Sequence, residues 1–245
     1  MRYPFTGLFI LCMFSAHAQV SLGLRGGLAL SNVVFKQVEG PALPGLDLST
    51  QSRAGLTGSL VVDIPLSGHF SLMPELGYLQ RGFKQQVPSL AHVVPGALNT
   101  VLDYFEGTLL GRFHIGRGTV QPHFLAGVTY GYLLGVHQYF QPTQGEKGKV
   151  VMSNPDDLDM NRWNFGLSGG AGLTIKAGAG AVFLEGRYDY GLAGLWNDFQ
   201  LTDINGNEIG KLNSYDRTFL VTVGWIFPLS KRQEANGTNA APATK

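Results

Sequence analysis

The sequence is short of charge, cysteine and long apolar runs. Only 14% of its 245 residues are charged, which is low for the surface of a soluble protein. A formal net charge of +1 leaves no basic excess for phosphates, so no nucleic-acid partner is expected. The single Cys excludes a disulfide scaffold and a Cys-based zinc cluster. No run after residue 18 has the roughly 20 apolar residues that a membrane-spanning helix needs.

The first 18 residues have the features of a signal peptide. Arg2 precedes an apolar run over 5–14, and Ala16-His17-Ala18 matches a small-x-small cleavage site. The apolar run is too short to span a bilayer as a helix. We therefore predict that residues 1–18 direct export and are removed, which leaves a mature chain without cysteine.

Beyond this segment, apolar residues recur at every second position in eight segments, and no stretch has a helical period. Near the C-terminus, for example, Phe219, Val221 and Val223 share one face, and Thr218 and Thr222 lie on the other. Short gaps and long polar gaps follow one another, as turns and outer loops do in transmembrane β-barrels. The predicted turns are 65–68, 116–118 and 177–180, and the predicted loops are 31–53, 83–100, 135–161 and 193–215.

Charged residues in the middle of these segments lie on the face opposite the apolar one. In a lipid-embedded barrel the charged face lines the lumen, whereas a soluble barrel or sandwich reverses the two faces. The low charge, the alternating gaps and the signal peptide favour the membrane arrangement. We therefore predict an all-β fold: a closed antiparallel up-and-down transmembrane β-barrel of eight strands over 19–228, followed by a disordered periplasmic tail over 229–245.

The predicted lumen charges nearly neutralise one another, with four basic and five acidic side chains. Since eight strands leave a bore just wide enough for side chains, we expect a structural ion-pair network that closes it. A ligand site or a narrow polar path is the alternative. The predicted network consists of Arg25, Glu75, Arg81, Glu106, Arg112, Glu185, Arg187 and Asp189, with Asp63 on the same face.

Aromatic residues near the ends of the segments predict the girdles that such barrels place at the membrane interfaces. These residues are Tyr78, Tyr132, Trp163, Tyr190 and Trp225. Tyr104 fits a girdle badly, because its position is on the inward face.

Five stretches of the chain, taken in order, form a recognisable set. They are 23–32 (GLRGGLALSN), 72–84 (LMPELGYLQRGFK), Tyr104-Phe105-Glu106, Arg187-Tyr188 with Gly191-Leu192, and 223–227 (VGWIF). Together they resemble the PorT-type outer-membrane β-barrel family of Bacteroidetes, although Gly107-Thr108-Leu109 departs from that family's usual Ile-Pro-Leu. The resemblance covers nearly all of the mature chain and implies an eight-stranded outer-membrane barrel. Most members of this family have no assigned activity, and its namesake is linked to protein secretion.

Two residue patterns raise the question of metal binding. His114 and His123 flank one predicted turn, but a His pair without a carboxylate is more often structural. Two D-x-[DN]-x-N patterns have the alternating oxygen ligands of a calcium loop without its Gly and Glu, so we interpret both as solvated turns. These patterns are Asp157, Asp159 and Asn161, and Asp203, Asn205 and Asn207.

A hydrolytic site would need a nucleophile, a base and an orienting acid. Ser153 or Ser214 with His92 or His137 and Asp156 would supply them, but no nucleophile elbow is present. We therefore predict no enzyme, no metal and no cofactor.

The predicted function is a non-enzymatic structural or interaction role at the cell envelope, with a link to secretion as a further hypothesis. The alternatives are a narrow small-solute channel and, less favoured, a lipid-modifying outer-membrane enzyme. We expect a monomeric barrel in the bacterial outer membrane with both chain ends in the periplasm. The expected partners are outer-membrane lipid and an envelope or secretion protein.

Overall fold

The computed structural model describes residues 20–39, 49–87, 96–142, 150–196, 199–202 and 208–229. The predicted signal peptide and the predicted tail beyond Leu229 lie outside these residues.

Eight long strands form the wall of the fold, and two four-residue strands extend it. The long strands are β1 (Ser21–Glu39), β2 (Thr50–Pro65), β3 (Phe70–Val87), β4 (Gly96–His114), β5 (Val120–Pro142), β7 (Trp163–Ala177), β8 (Gly180–Gly191) and β10 (Glu208–Pro228). The short strands are β6 (Val150–Ser153), paired with β5, and β9 (Phe199–Thr202), paired with β10. A 3-10 turn over Pro155–Leu158 precedes β7. Within the described ranges, no helix is long and apolar enough to cross a bilayer.

The long strands close into a ring. Each pairs antiparallel with its neighbours in the order β1-β2-β3-β4-β5-β7-β8-β10, and β10 pairs back onto β1. The closing pair runs from Ser21 opposite Pro228 to Glu39 opposite Lys211. Because the ring joins its two ends, every long strand has a hydrogen-bonded neighbour on each side, as a membrane barrel requires. The prediction of eight antiparallel up-and-down strands is confirmed.

Side chains alternate between the two faces of the wall, since the pleat of a strand has a period of two. Leu24 is 62% exposed on the outer face, while its neighbour Arg25 is 7% exposed and points inward. Leu184 and Glu185 show the same contrast, at 52% and 1%. The outer face is therefore a continuous apolar belt, far larger than the patches that soluble monomers expose. Such a belt is what lipid contact requires.

The five predicted girdle residues lie on the outer face, and Tyr104 lies on the inner one. Tyr78, Trp163, Tyr190 and Trp225 are exposed on the outside, and Tyr132 is half-buried there. Tyr104 is buried inside the barrel, as its inward position indicates.

The two ends of the barrel differ in how the strands are joined. At one end, which we call the short-turn end, residues 66–69, 115–119 and 178–179 connect neighbouring strands. Two of these turns contain a glycine with positive φ, Gly116 (80°) and Gly178 (57°), a conformation that favours this residue. Val20 and Leu229 also lie at this end, joined by a backbone hydrogen bond of 2.9 Å. The predicted turn positions are correct.

At the opposite end, which we call the long-loop end, strand pairing continues further than the sequence predicts. β5 runs to Pro142 although a loop is predicted from 135, and β10 begins at Glu208 inside the predicted loop 193–215. The difference has a physical reason. Beyond the apolar belt the outward side chains meet water, so the apolar alternation stops, while the backbone groups still need hydrogen-bond partners.

Candidate functional site

The interior of the barrel contains two groups of ion pairs. The first, which we call the Glu75 group, consists of Arg25, Glu75, Glu185 and Arg187, from strands β1, β3 and β8. Arg25 Nη1 lies 2.7 Å from the Glu75 carboxylate, and Arg187 Nη1 lies 3.0 Å from Glu75 Oε2. Glu185 is 4.0 Å from Arg25. Glu75 on β3 therefore bridges two arginines, one from β1 and one from β8.

The second group, which we call the Arg81 group, has the reverse composition: one arginine faces three acids. Arg81 donates to Glu106 and Asp216, and Asp189 Oδ2 lies 3.7 Å from its Nη2 atom. Asn164 adds a hydrogen bond of 2.7 Å to Asp216. The members come from β3, β4, β8 and β10, so the group connects distant parts of the ring. Both oxygens of Asp189 are buried and have no hydrogen-bond partner among the described residues.

Asp216 is the interior acid that the sequence reasoning missed. It is 4% exposed, lies on the inward face of β10 and directly follows the predicted loop 193–215. Extending the alternation backwards from Phe219 would have revealed it. With Asp216, the interior holds six acids, Asp63 included, against four arginines.

The structure places Arg112 apart from these two groups. Its guanidinium is fully buried, donates to the Met73 sulfur and lies 5.5 Å from the centre of the Phe183 ring. Its ion pair with Asp63 is long, at 4.0 Å. All eight predicted network residues are thus buried inside the barrel, but Arg112 packs mainly among apolar side chains.

Apolar layers lie on both sides of the ion-pair groups, and the sequence reasoning did not predict them. Along β3 the inward residues run from Met73, near the short-turn end, through Glu75, Leu79 and Arg81 to Phe83. Met73 belongs to a buried layer at the short-turn end, with Val61, Leu110, Leu125, Ala181, Phe183 and Ile226. Phe83 belongs to a layer at the long-loop end, with Val33, Leu102, Tyr104, Leu133, Val136, Met160 and Leu195.

The interior is filled between these layers. A cavity beside Arg25, Glu75 and Glu106 has a volume of about 10 Å³. Since one water molecule needs roughly 10–15 Å³, there is room for about one. At this depth, among the described residues, the bore is filled by packed side chains.

A family model described as "Outer membrane protein beta-barrel domain" matches residues 15–197 of this chain. The chain belongs to this family. No curated protein matches the sequence. The family places the chain in the outer membrane, in agreement with its apolar belt.

Solved structures of outer membrane proteins have a similar fold at low sequence identity. OprG from Pseudomonas aeruginosa is 14% identical, over 86% of this chain and 98% of OprG, with a TM-score of 0.50. The outer membrane protease OmpT from Escherichia coli is 10% identical, over 87% and 97%, with a TM-score of 0.45. A major outer membrane protein from Thermus thermophilus is 11% identical, over 85% and 99%, with a TM-score of 0.44.

His114 and His123 lie together at the short-turn end, with ring centres 5.6 Å apart. His123 Nε2 lies 3.2 Å from Glu185 Oε1, and His123 Nδ1 lies 3.2 Å from Thr174 Oγ1. Within the described ranges, no three His, Cys, Asp or Glu side chains are arranged to hold a metal ion. His123 thus connects the wall to the Glu75 group.

The first calcium-like pattern lies beside the 3-10 turn. Asn161 Oδ1 accepts from the Trp163 backbone N–H at 3.0 Å, and Asp159 ends the turn in a left-handed conformation, with φ of 53°. Asp156 accepts from Arg162 Nε at 2.7 Å and from its Nη2 atom at 2.5 Å. This bidentate bond lowers the pKa of the Asp156 carboxyl and raises that of Arg162. The second pattern, 203–207, lies outside the described residues.

Among the described residues, the candidates for a hydrolytic site do not lie together. Ser214 is 3% exposed and points into the barrel, whereas His137 lies 3.0 Å from Asp103 on the outer face. The Asp156 carboxylate is occupied by Arg162. His92 and the side chain of Ser153 lie outside the part of the chain that the structure describes.

Proposed function

We propose that this outer-membrane barrel is a closed, non-enzymatic protein with a structural or interaction role at the envelope. The observation that carries the proposal is the pair of apolar layers that enclose the ion-pair groups. An ion crossing the bore would have to separate both layers and disrupt buried ion pairs. Breaking one such pair costs about 3–5 kcal/mol, so a conducting path is disfavoured.

Because a closed interior admits no other molecule, other molecules would contact the protein at its outer face and at the long-loop end. We propose that this end faces the cell exterior, and that both chain ends lie in the periplasm after removal of residues 1–18. An envelope protein would then meet the extended hairpins at the long-loop end. The resemblance to PorT-type proteins supports a secretion component as this partner.

Conductance in planar lipid bilayers tests the closed interior. We expect no current steps from the folded protein, under conditions in which a porin reconstituted in parallel gives them. Steps that appear only with folded protein, and that change in size in an Arg81→Gln variant, would show a path through the lumen and overturn the proposal.

Labelling in intact cells tests the orientation. Asn154, beside the 3-10 turn, and Arg117, in a short turn, are both exposed, and each can be replaced by Cys. We expect an impermeant maleimide to label Asn154→Cys in intact cells and Arg117→Cys only after the outer membrane is opened. The opposite result would reverse the orientation.

A further inference from the structure

The outer face of the wall contains an apolar cleft, and the role proposed above assigns no function to it. The cleft has a volume of about 450 Å³, within the range of roughly 300–1,000 Å³ typical of small-molecule sites. Gly107 forms its floor on β4. Its walls are formed by Leu76, Phe105, Tyr130, Tyr132, Leu134 and Trp163.

The cleft exists because Gly107 has no side chain at an outward position. Gly107 lies between Leu76 of β3 and Tyr130 of β5 in the strand register, and both neighbours carry large side chains. A Cβ atom at this position would lie 3.7 Å from Leu76 Cδ1 and 3.9 Å from the Tyr130 carbonyl oxygen. These are ordinary contact distances, so a larger residue would fill the cleft without straining the wall.

Aromatic packing fixes one wall of the cleft. The Trp163 ring stacks on Tyr130 with centroids 5.1 Å apart and meets Tyr132 edge-on at 4.7 Å. Phe105 lies opposite Tyr132 in the register of β4 and β5. The two ring contacts hold Trp163 against both tyrosines in this wall.

Polar side chains lie along the rim of the cleft toward the long-loop end. Asp103, two residues from Phe105, accepts from the Tyr78 hydroxyl and from Gln80 Nε2 at 3.1 Å. His137 Nε2 lies 3.0 Å from Asp103, and Arg53 contacts Gln80 at 3.4 Å.

On the β5–β7 side of the cleft, Arg162 donates to the Tyr132 hydroxyl at 3.4 Å. The rim thus has two arginines and a histidine against the carboxylates of Asp103 and Asp156.

We propose that this cleft binds one membrane lipid, with an acyl chain along Gly107 and a phosphate headgroup at the rim. The cleft lies in the apolar belt of an outer-membrane protein, where acyl chains are the molecules present. Along the strand direction its lining changes from apolar side chains to charged ones, as a phospholipid changes from acyl chain to headgroup. The arginines and His137 provide donors suited to a phosphate.

Native mass spectrometry of the folded barrel in detergent, with added dimyristoyl phosphatidylglycerol, tests the site. The decisive variant is Gly107→Leu, which fills the floor. Gly186→Leu is the matched control, because Gly186 is an unstrained outward glycine on β8, where a Cβ would lie 3.8 Å from Phe219. We expect one retained lipid on the wild type and on the control, and at least a tenfold loss of this species in Gly107→Leu.

Retention of the lipid by folded Gly107→Leu, or no retained lipid on the wild type, would overturn the proposal. If Gly107→Leu fails to fold, Trp163→Ala, which removes a wall without adding bulk, replaces it, with the same expected loss.

A double variant, Arg53→Gln with Arg162→Gln, tests the headgroup part. We expect it to weaken binding of phosphatidylglycerol while leaving the uncharged dimyristoylglycerol unchanged. Equal effects on the two lipids would contradict a phosphate-binding rim.

Discussion

The two ion-pair groups in the interior differ in charge balance. The Glu75 group has two arginines and two glutamates, and Glu75 accepts from both arginines. The Arg81 group has one arginine and three acids, of which Asp189 is the most distant, at 3.7 Å. Burial makes an unpaired charge costly in either group. The difference implies that each member of the Glu75 group is needed, whereas the Arg81 group contains two acids beyond the one that its arginine can neutralise.

Removing the bridging acid should have the largest effect. Glu75→Gln leaves Arg25 and Arg187 facing each other without the charge between them, so we expect a loss of about 3–5 kcal/mol in unfolding free energy. Urea unfolding in detergent, followed by tryptophan fluorescence, measures it. Gln keeps the size of the side chain, so a loss below about 1 kcal/mol would mean that Glu75 does not hold the two arginines together.

Removing the most distant of the three acids around Arg81 should have a small effect on the unfolding free energy, of opposite sign to that of Glu75→Gln. Asp189→Asn relieves repulsion from Glu106 and Asp216 and leaves Arg81 paired with both. We expect an unfolding free energy unchanged or raised by about 1 kcal/mol in the same titration. A loss as large as that of Glu75→Gln would erase the difference between the two groups.

The ion pair between Asp156 and Arg162 at the long-loop end is exposed, unlike the two buried groups. We therefore expect its contribution to the unfolding free energy to be the smallest of the three. The bond from Arg162 lowers the pKa of Asp156, so any stabilisation from this pair is present above the ordinary carboxyl pKa and is lost as the pH falls through the lowered value. Carbon-13 NMR titration of the Asp156 carboxyl should show this, with a return to the ordinary pKa in Arg162→Gln. An unchanged titration in that variant would exclude Arg162 as the cause.

The wall could be predicted from the sequence because its period of two is visible residue by residue. Leu184 and Glu185 differ so strongly in polarity that the sequence alone places them on opposite faces of the wall. The apolar layers were missed because, in pairs such as Leu109-Leu110 and Trp225-Ile226, an apolar inward residue lies beside an apolar outward one, and alternation cannot assign the second.

The pairing inside the barrel could not be predicted either. Arg81 donates to Asp216, which is 135 residues away in the sequence. Which charged side chains pair depends on ring closure and on the register of β3 against distant strands. Neither can be inferred from the polarity of neighbouring residues in the sequence. The lipid-facing cleft was missed for a similar reason, since Gly107 becomes its floor only when Leu76 and Tyr130 lie on either side of it.

The other conclusions depend on one arrangement of the barrel. Its apolar outer face contacts lipid, and lipid does not reach its interior. The chain's three tryptophans allow a direct test. Trp163 and Trp225 are exposed on the outer face, whereas Trp196 packs 5.6 Å from Phe35 at the interior layer of the long-loop end. In vesicles of brominated lipid, single-tryptophan variants should show strong quenching of Trp163 and Trp225 and little of Trp196. Quenching of Trp196 with Trp163 and Trp225 unquenched would contradict this arrangement.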